Sequence, residues 1–243
     1  MLTHPSISNL HLYTLQDLKN GIIDLPELEF QAVKTAMNWV GEFLCNPYEE
    51  LGRPGPVCPF VKRAIESHNS VYVTSVAPAR PTVKSIENVL RQCREWFNSL
   101  NPVADSQKNF KTIMVVLPTV TDDESGAHLI DEIHQKLKPS FVRRSLMLGQ
   151  FYPTCEESGL HNPEYRPLQS PVSLFAIRSM QLTDLAFLVQ DDRYIRAYCN
   201  TFGVNDAGEL QKLVNASKIP KPPLNWEEYV ATLFEESVVE QAT

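Results

Sequence analysis

The chain has 243 residues, 43% of them hydrophobic, and a formal net charge of −7. This acidic balance argues against nucleic acid or an anionic membrane surface as the main partner, because both require a basic footprint. The length suits one domain with a substantial core. We therefore expect residues 1–243 to form a single domain, with 1–25 as an N-terminal arm and 218–243 as a C-terminal helical extension.

The cysteines are dispersed along the chain and include no CxxC pair; they are Cys45, Cys58, Cys93, Cys155 and Cys199. Such an odd, scattered set is typical of a reducing compartment and not of a disulfide framework. The first residues carry neither a basic leader nor a continuous apolar run. We therefore predict no signal peptide, no transmembrane helix and a cytoplasmic location.

Hydrophobic periodicity predicts the elements in chain order. After an irregular arm with a short helical turn, a helix follows Pro26 and ends before Asn46, since Pro47 comes next. The remaining elements are a strand over 70–76, a helix over 82–100, a strand over 112–117, a helix over 123–138, strands over 145–151 and 172–177, and helices over 182–202, 206–216 and 225–236.

This βαβαββ order indicates an α+β (mixed α/β) fold. We expect a mainly four-stranded mixed sheet, packed by helices at both termini. The first two crossovers favour parallel pairing with right-handed connections, and the last pair is open to antiparallel pairing.

Several common catalytic and binding motifs are absent: GxGxxG, GxxxxGK[ST], HExxH, GxSxG and the EF-hand loop. His128 and His134 share one predicted helix, but a spacing of six places them on opposed faces. We expect both to face solvent and not to bind a metal together.

Cys58 lies in the segment GPVCPF, after a proline-rich turn, and Pro59 suits the first position of a helix. We therefore expect Cys58 to cap a short helix that runs to about His68. A helix N-terminus stabilises the thiolate, which is the form that ligates metals or attacks carbon. A buried structural cysteine is the alternative.

Residues 152–171, YPTCEESGLHNPEYRPLQSP, connect the last two predicted strands and carry Cys155, His161, Tyr165 and Arg166. Structureless connections of this length are uncommon in compact domains and are usually functional when ordered. Four prolines lower the entropy that ordering costs. We expect an ordered loop that carries chemistry; a surface loop with a capping histidine is the alternative.

Arg178 shares parity on the last strand with Leu174 and Ala176, so it ends a row that faces apolar surroundings. A buried guanidinium requires an anion. The candidates are Asp184 or Asp191 within the protein, and a ligand carboxylate such as a haem propionate.

The segments GPVCPF and GLHNPEYRPL resemble signatures of the bacterial YqcI/YcgG family, over about residues 57–76 and 146–188. That family includes haem-dependent enzymes that hydroxylate nitrogen in arginine-like or aminoimidazole-type substrates. The chain departs from the pattern in two places: Asn162 stands between the loop histidine and its proline, and a single Arg166 stands where the family has several arginines. The chain is more similar still to a sister group with the same VCPF and GLHN signatures.

The resemblance implies a cytoplasmic haem b oxygenase that N-hydroxylates an amino- or guanidino-containing small molecule in a biosynthetic pathway, using O2 and an external electron donor. It implies that His161 corresponds to the loop histidine of the family and Cys58 to its turn cysteine. His161 is the first choice for the axial iron ligand and Cys58 the second. Tyr165, Arg166 and Arg178 would complete the cofactor site, with the arginines on the propionates. A cationic substrate, a homodimer and a redox partner are further expectations.

Two rival hypotheses stay open. The first is a thiol-dependent hydrolase or transferase with Cys58 as nucleophile and His161 as base. The second is a haem-binding sensor without turnover, to which a displaceable Cys-Pro ligand would be suited.

Overall fold

A computed structural model describes residues 1–216, 230 and 232–234. The strands are β1 (Leu2–His4), β2 (Ile7–Thr14), β3 (Val71–Ser75), β4 (Thr112–Val116), β5 (Leu146–Phe151) and β6 (Leu174–Ser179). The α-helices are α1 (Leu15–Lys19), α2 (Glu27–Trp39), α3 (Val61–Glu66), α4 (Val83–Phe97), α5 (Glu124–Val142), α6 (Asp192–Phe202) and α7 (Ala207–Ala216). The predicted helix over 225–236 and the extension over 218–243 lie outside the described residues, except for 230 and 232–234.

The strands form one mixed sheet in the order β1-β2-β3-β4-β6-β5. β3 and β4 are parallel, with Val71 opposite Thr112, and α4 connects them as predicted. β4 and β6 are antiparallel, with Thr112 opposite Arg178. The mixed α+β class is thus confirmed. β5 is not the neighbour of β4, because β6 lies between them.

The prediction of four strands was wrong, because the sheet has six. The N-terminal segment expected to be an irregular arm forms an antiparallel β1–β2 hairpin, and β2 continues the sheet beside β3 with Tyr13 opposite Val73. Leu10 and Leu12 alternate with the less buried His11 on β2. That alternation is the pattern of a half-buried strand. The short helical turn is present as α1.

The helices follow their apolar stripes. α2 buries Val33, Ala36 and Met37 against the sheet core. α4 begins where the Thr82 hydroxyl accepts a hydrogen bond from the Ser85 amide at 3.2 Å, which is a capping interaction.

No helix in the described part of the chain is long and apolar enough to cross a membrane.

On α5 the expectation for one histidine was wrong. His128 is exposed, as predicted, but His134 is mostly buried, and its Nε2 donates to the carbonyl of Leu148 on β5 at 2.9 Å. The bond satisfies a polar ring that would otherwise be desolvated without a partner. His134 therefore connects a helix to a strand.

The chain separates into two compact units, and the single domain stays a prediction. The first unit comprises Met1–Lys138 and Met147–Ser179. The second comprises Pro139–Leu146 and the chain from Met180 onward. In the second unit Tyr198 on α6 is fully buried, and its hydroxyl donates to the carbonyl of Leu182 at 2.8 Å. The candidate site lies entirely in the first unit.

Candidate functional site

The candidate site begins where α2 changes its winding. The helix continues past Trp39 as a single π-helical segment, Val40–Leu44. Such segments displace backbone carbonyls from the α-helical pattern and often occur at functional sites. Here the Glu42 carbonyl accepts from the Asn46 side-chain amide at 2.8 Å and from the Tyr48 hydroxyl at 3.1 Å. These two bonds fix the turn that follows the helix.

A groove of about 460 Å³ lies along this part of the helix. Its walls are Thr35, Asn38, Trp39, Glu42, Phe43, Tyr48 and Pro171. The groove is open to solvent, so a ligand would lie along its walls and would not be enclosed. Glu42 is the charged side chain among these walls, and it is exposed.

Aromatic rings form most of the apolar surface of the groove. Trp39 and Phe43 are stacked with centroids 5.6 Å apart and an interplanar angle of 20°. Tyr48 packs against Phe43 at 5.2 Å, and behind them Phe151 meets Trp39 edge-on at 5.6 Å. The rings support one another through these contacts, so the groove has an ordered aromatic wall beside a carboxylate.

The loop over 152–171 is ordered, as predicted, and is closed at its base. The Tyr152 amide donates to the Leu168 carbonyl at 3.3 Å, and the Ser170 amide returns a bond to Tyr152 at 3.4 Å. The Gln169 side chain also donates to the Cys155 carbonyl at 3.3 Å. Pro171, at the end of this loop, is one wall of the groove.

The GLHN segment holds the loop against the turn after the π-helix. The Asn162 side-chain amide donates to the Glu50 carbonyl at 2.7 Å, and the Asn162 side-chain oxygen accepts from the Glu164 amide at 3.0 Å. A Cβ atom on Gly52 would lie 2.9 Å from the His161 carbonyl oxygen. Gly159 is equally confined, because its Cβ would lie 2.9 Å from the Asn162 carbonyl oxygen. The signature therefore has a structural explanation: it brings two backbones into contact.

Tyr165 is the predicted site residue nearest to the groove. Its ring lies 6.5 Å from that of Phe43. Burial raises the pKa of its hydroxyl, and the nearby charges of Tyr48 and Glu50 raise it further. The hydroxyl oxygen is buried, and no described residue hydrogen-bonds to it.

His161 is exposed and is not among the groove walls, although its backbone contacts Gly52. Arg166 binds within its own loop: it donates to the Pro163 carbonyl and forms a 3.5 Å ion pair with Glu156. His161, Tyr165 and Arg166 thus share one loop but do not point together into the groove.

Arg178 lies elsewhere on the sheet. Its Cα is opposite Thr112, whereas the loop enters β6 at the end opposite Val116. Four residues of strand, or about 13 Å, separate these positions. The Arg178 guanidinium donates to the Ser179 carbonyl at 3.1 Å. The structure therefore does not bring Arg178 to the loop that carries His161.

Cys58 does not cap a helix, so that expectation was wrong. α3 begins at Val61, with Phe60 as the residue before it. Two further residues, Cys58 and Pro59, belong to the preceding turn, and the Cys58 amide donates to the Leu44 carbonyl at 2.9 Å. The helix-dipole argument for a stabilised thiolate therefore does not apply here.

These positions allow a test of fit for haem. Haem requires an axial ligand that faces a slot and cations that pair with two propionates. The groove walls carry one carboxylate and no cation, and neither His161 nor Cys58 is among them. Within the part of the chain that the structure describes, no three His, Cys, Asp or Glu residues form a metal-binding group. The groove therefore does not suit haem, and ligation by His161 or Cys58 stays a prediction.

The groove residues were missed in the sequence, although they leave a signal there. Thr35, Asn38, Trp39, Glu42 and Phe43 follow the spacing of one helix face. That face lies beside the apolar stripe of α2 and should be polar. Two large aromatic residues four positions apart on a face that should be polar indicate that this face also makes contacts.

Together the fold and the site define a mixed α+β protein with an aromatic groove on a π-helical extension. The family model described as "Domain of unknown function (DUF6875)" matches residues 33–212, and the chain belongs to this family. No curated protein and no solved structure matches the chain. The matched region contains the groove, Cys58 and the loop with His161. The family description names no activity, so the resemblance to YqcI/YcgG proteins stays a prediction.

Proposed function

We propose that this protein binds a small organic cation, an amine or a guanidine, in the aromatic groove and acts on it as a substrate. The observation that carries the proposal is that the walls of one groove combine the acidic residue Glu42 with the stacked Trp39 and Phe43 rings. Aromatic faces attract cations, and a carboxylate adds direct charge complementarity. An anionic or neutral ligand would gain from neither.

The geometry also supports a preference for a flat cation. Trp39, Phe43 and Tyr48 all line the groove, and the Trp39 and Phe43 rings lie within 20° of parallel. A planar guanidinium can lie on a ring face while its N–H groups reach a carboxylate, because its donors lie in one plane. We therefore expect a guanidinium to bind more tightly than an ammonium of the same length.

Titration calorimetry with butylguanidinium and with its uncharged isostere butylurea tests this proposal. We expect binding of the cation and no measurable binding of the urea. Glu42→Gln should weaken butylguanidinium binding about two- to fivefold, because an ion pair to an exposed carboxylate contributes roughly 0.5–1 kcal/mol. Glu27→Gln provides the matched control, since Glu27 is exposed on the same helix and is not a groove wall.

Equal affinity for butylguanidinium and butylurea would contradict the proposal, as would equal affinity of the Glu42→Gln and Glu27→Gln proteins. Quenching of Trp39 fluorescence provides a second readout. The chain has two other tryptophans, Trp96 and Trp226, and the Trp96→Phe, Trp226→Phe background leaves Trp39 as the source of the signal.

The resemblance implies haem-dependent N-oxygenation of such a cation, and the haem would have to be held outside the groove, whose walls include neither candidate iron ligand nor a cation for the propionates. The test is the absorption spectrum of protein expressed with a haem precursor. A Soret band that shifts with dithionite and carbon monoxide would support haem, and its loss in His161→Ala but not in Cys58→Ser would assign the ligand. Red protein that consumes no oxygen with amines and a reductant would favour the sensor. Colourless protein would favour the thiol enzyme, tested by labelling Cys58 with iodoacetamide.

A further inference from the structure

We propose that Cys45 and Cys58 form a redox-active pair that an oxidant converts into a disulfide across the turn beside the groove. The inference does not depend on what the groove binds. It concerns two of the five cysteines: Cys45, and Cys58, which is also the candidate nucleophile or second-choice iron ligand.

Backbone hydrogen bonds bring the two cysteines together. The Cys58 amide donates to the Leu44 carbonyl at 2.9 Å, and the Val57 amide donates to the Asn46 carbonyl at 3.0 Å. Leu44 and Asn46 are the two chain neighbours of Cys45. An antiparallel bridge between Pro47 and Pro56 continues the pairing. The backbone of Cys45 is therefore held directly against that of Cys58.

The side chains share one environment. Cys45 and Cys58 both pack against the hydrophobic cluster around α2, and both are partly exposed. Burial raises the pKa of the Cys45 thiol, and the charge of Cys58 raises it further. A raised pKa disfavours the Cys45 thiolate, so the pairing depends on the backbone geometry and on exposure. By contrast, Cys93, Cys155 and Cys199 are buried, so an oxidant reaches the pair first.

The chemistry needs a peroxide. One thiolate attacks a peroxide oxygen, the O–O bond breaks, and a sulfenic acid forms with release of water. The second thiol then attacks the sulfenic sulfur and expels the oxygen as a second water. The two thiols lose two electrons and two protons, and hydrogen peroxide is reduced to two water molecules.

The disulfide would close a ring from Cys45 to Cys58 that contains Tyr48 and Gly52, and Gly52 contacts His161 outside the ring. A crosslink of this length restricts the unfolded chain. Oxidised protein should therefore melt several degrees above the reduced protein.

Mass spectrometry of the full chain tests the proposal. After mild treatment with hydrogen peroxide we expect a loss of two hydrogens that dithiothreitol reverses. Digestion after Glu49 and Glu50 separates the two cysteines, so a disulfide between them yields linked peptides. Cys45→Ser and Cys58→Ser should each abolish the linked peptide and the rise in Tm, and the matched control Cys199→Ser should keep both.

Oxidation of either cysteine to a sulfinic acid without a crosslink would overturn the proposal. So would a disulfide that joins two protein molecules, or a linked peptide that contains one of the three buried cysteines. None of these readouts involves ligand binding, so their failure is distinguishable from failure of the proposed function.

Discussion

A single glycine decides how closely the loop approaches the turn beside the groove. Gly52 has a φ of +71°, in the left-handed region, and its α-carbon faces the backbone of His161. Both features exclude a side chain: the first by backbone strain and the second by contact. Because the loop and the turn lie this close together, the Asn162 side chain can donate a hydrogen bond to the Glu50 carbonyl. The His161 atoms nearest to a Cβ at Gly52 are its carbonyl oxygen, its carbonyl carbon and its own Cβ.

Gly52→Ala should lower the free energy of unfolding by about 1–3 kcal/mol, because alanine must adopt a left-handed conformation against the His161 carbonyl. Urea denaturation measures the effect. Gly41→Ala is the matched control: beyond its chain neighbours and its own helix backbone, no atom lies within 4 Å of a Cβ at that position, and its φ is not in the left-handed region. A Gly52→Ala protein as stable as Gly41→Ala would contradict the explanation of the GLHN signature.

At the scale of elements, α5 and β5 are joined by a buried polar bond. His134 on α5 donates to the Leu148 carbonyl on β5. Burial lowers the pKa of His134 to about 4, and the positive charge of Lys138 adds to this effect. The Leu148 carbonyl acts in the opposite direction by accepting from the ring. The folded protein therefore holds this histidine neutral.

This pKa predicts acid sensitivity. The unfolded chain takes up a proton near pH 6.5 and the folded chain only near pH 4, so stability is fully present above pH 6.5 and is lost as the pH falls toward 4. The difference corresponds to roughly 3 kcal/mol. Urea unfolding at several pH values should show a shallower loss for His134→Gln, which removes the titrating group.

His128→Gln is the control for this series, because His128 is exposed on the same helix. Its unfolding should follow the pH dependence of the unmodified protein, including the contribution from carboxylates. Identical slopes for His134→Gln and His128→Gln would show that His134 does not resist protonation.

For the whole molecule, the N-terminal hairpin completes the sheet. The family match begins at residue 33, but β1 and β2 precede it and cover the edge of β3. Tyr13 and Leu12 are almost fully buried, so this hairpin belongs to the core of the first unit. An uncovered β3 would expose a row of unpaired backbone groups.

Leu12→Ala should therefore cost about 2–5 kcal/mol of unfolding free energy, the range for truncation of a fully buried leucine. Asn9→Ala on the same strand is the control, since Asn9 is exposed. Chemical denaturation compares the two. A Leu12→Ala protein as stable as the control would mean that the hairpin is not part of the cooperative core.

The sequence determined those features that depend on local pattern. Periodicity predicted α2, α4 and α5 and strands β3, β4 and β5, because apolar spacing reports which face of an element is buried. The prolines of the 152–171 loop similarly predicted its order. Leu10 and Leu12 also alternate as in a strand. So short an alternating run could not be assigned to the sheet before its partner strand was known.

Tertiary structure decided everything that depends on distant residues meeting. The insertion of β6 between β4 and β5, the contact of Gly52 with His161 and the approach of Cys45 to Cys58 each join positions far apart in the chain. The groove also depends on distant residues, since Trp39 and Pro171 line it together. Sequence spacing constrains neighbours along a helix or strand, whereas pairings across the fold follow from how whole elements bury their apolar faces together.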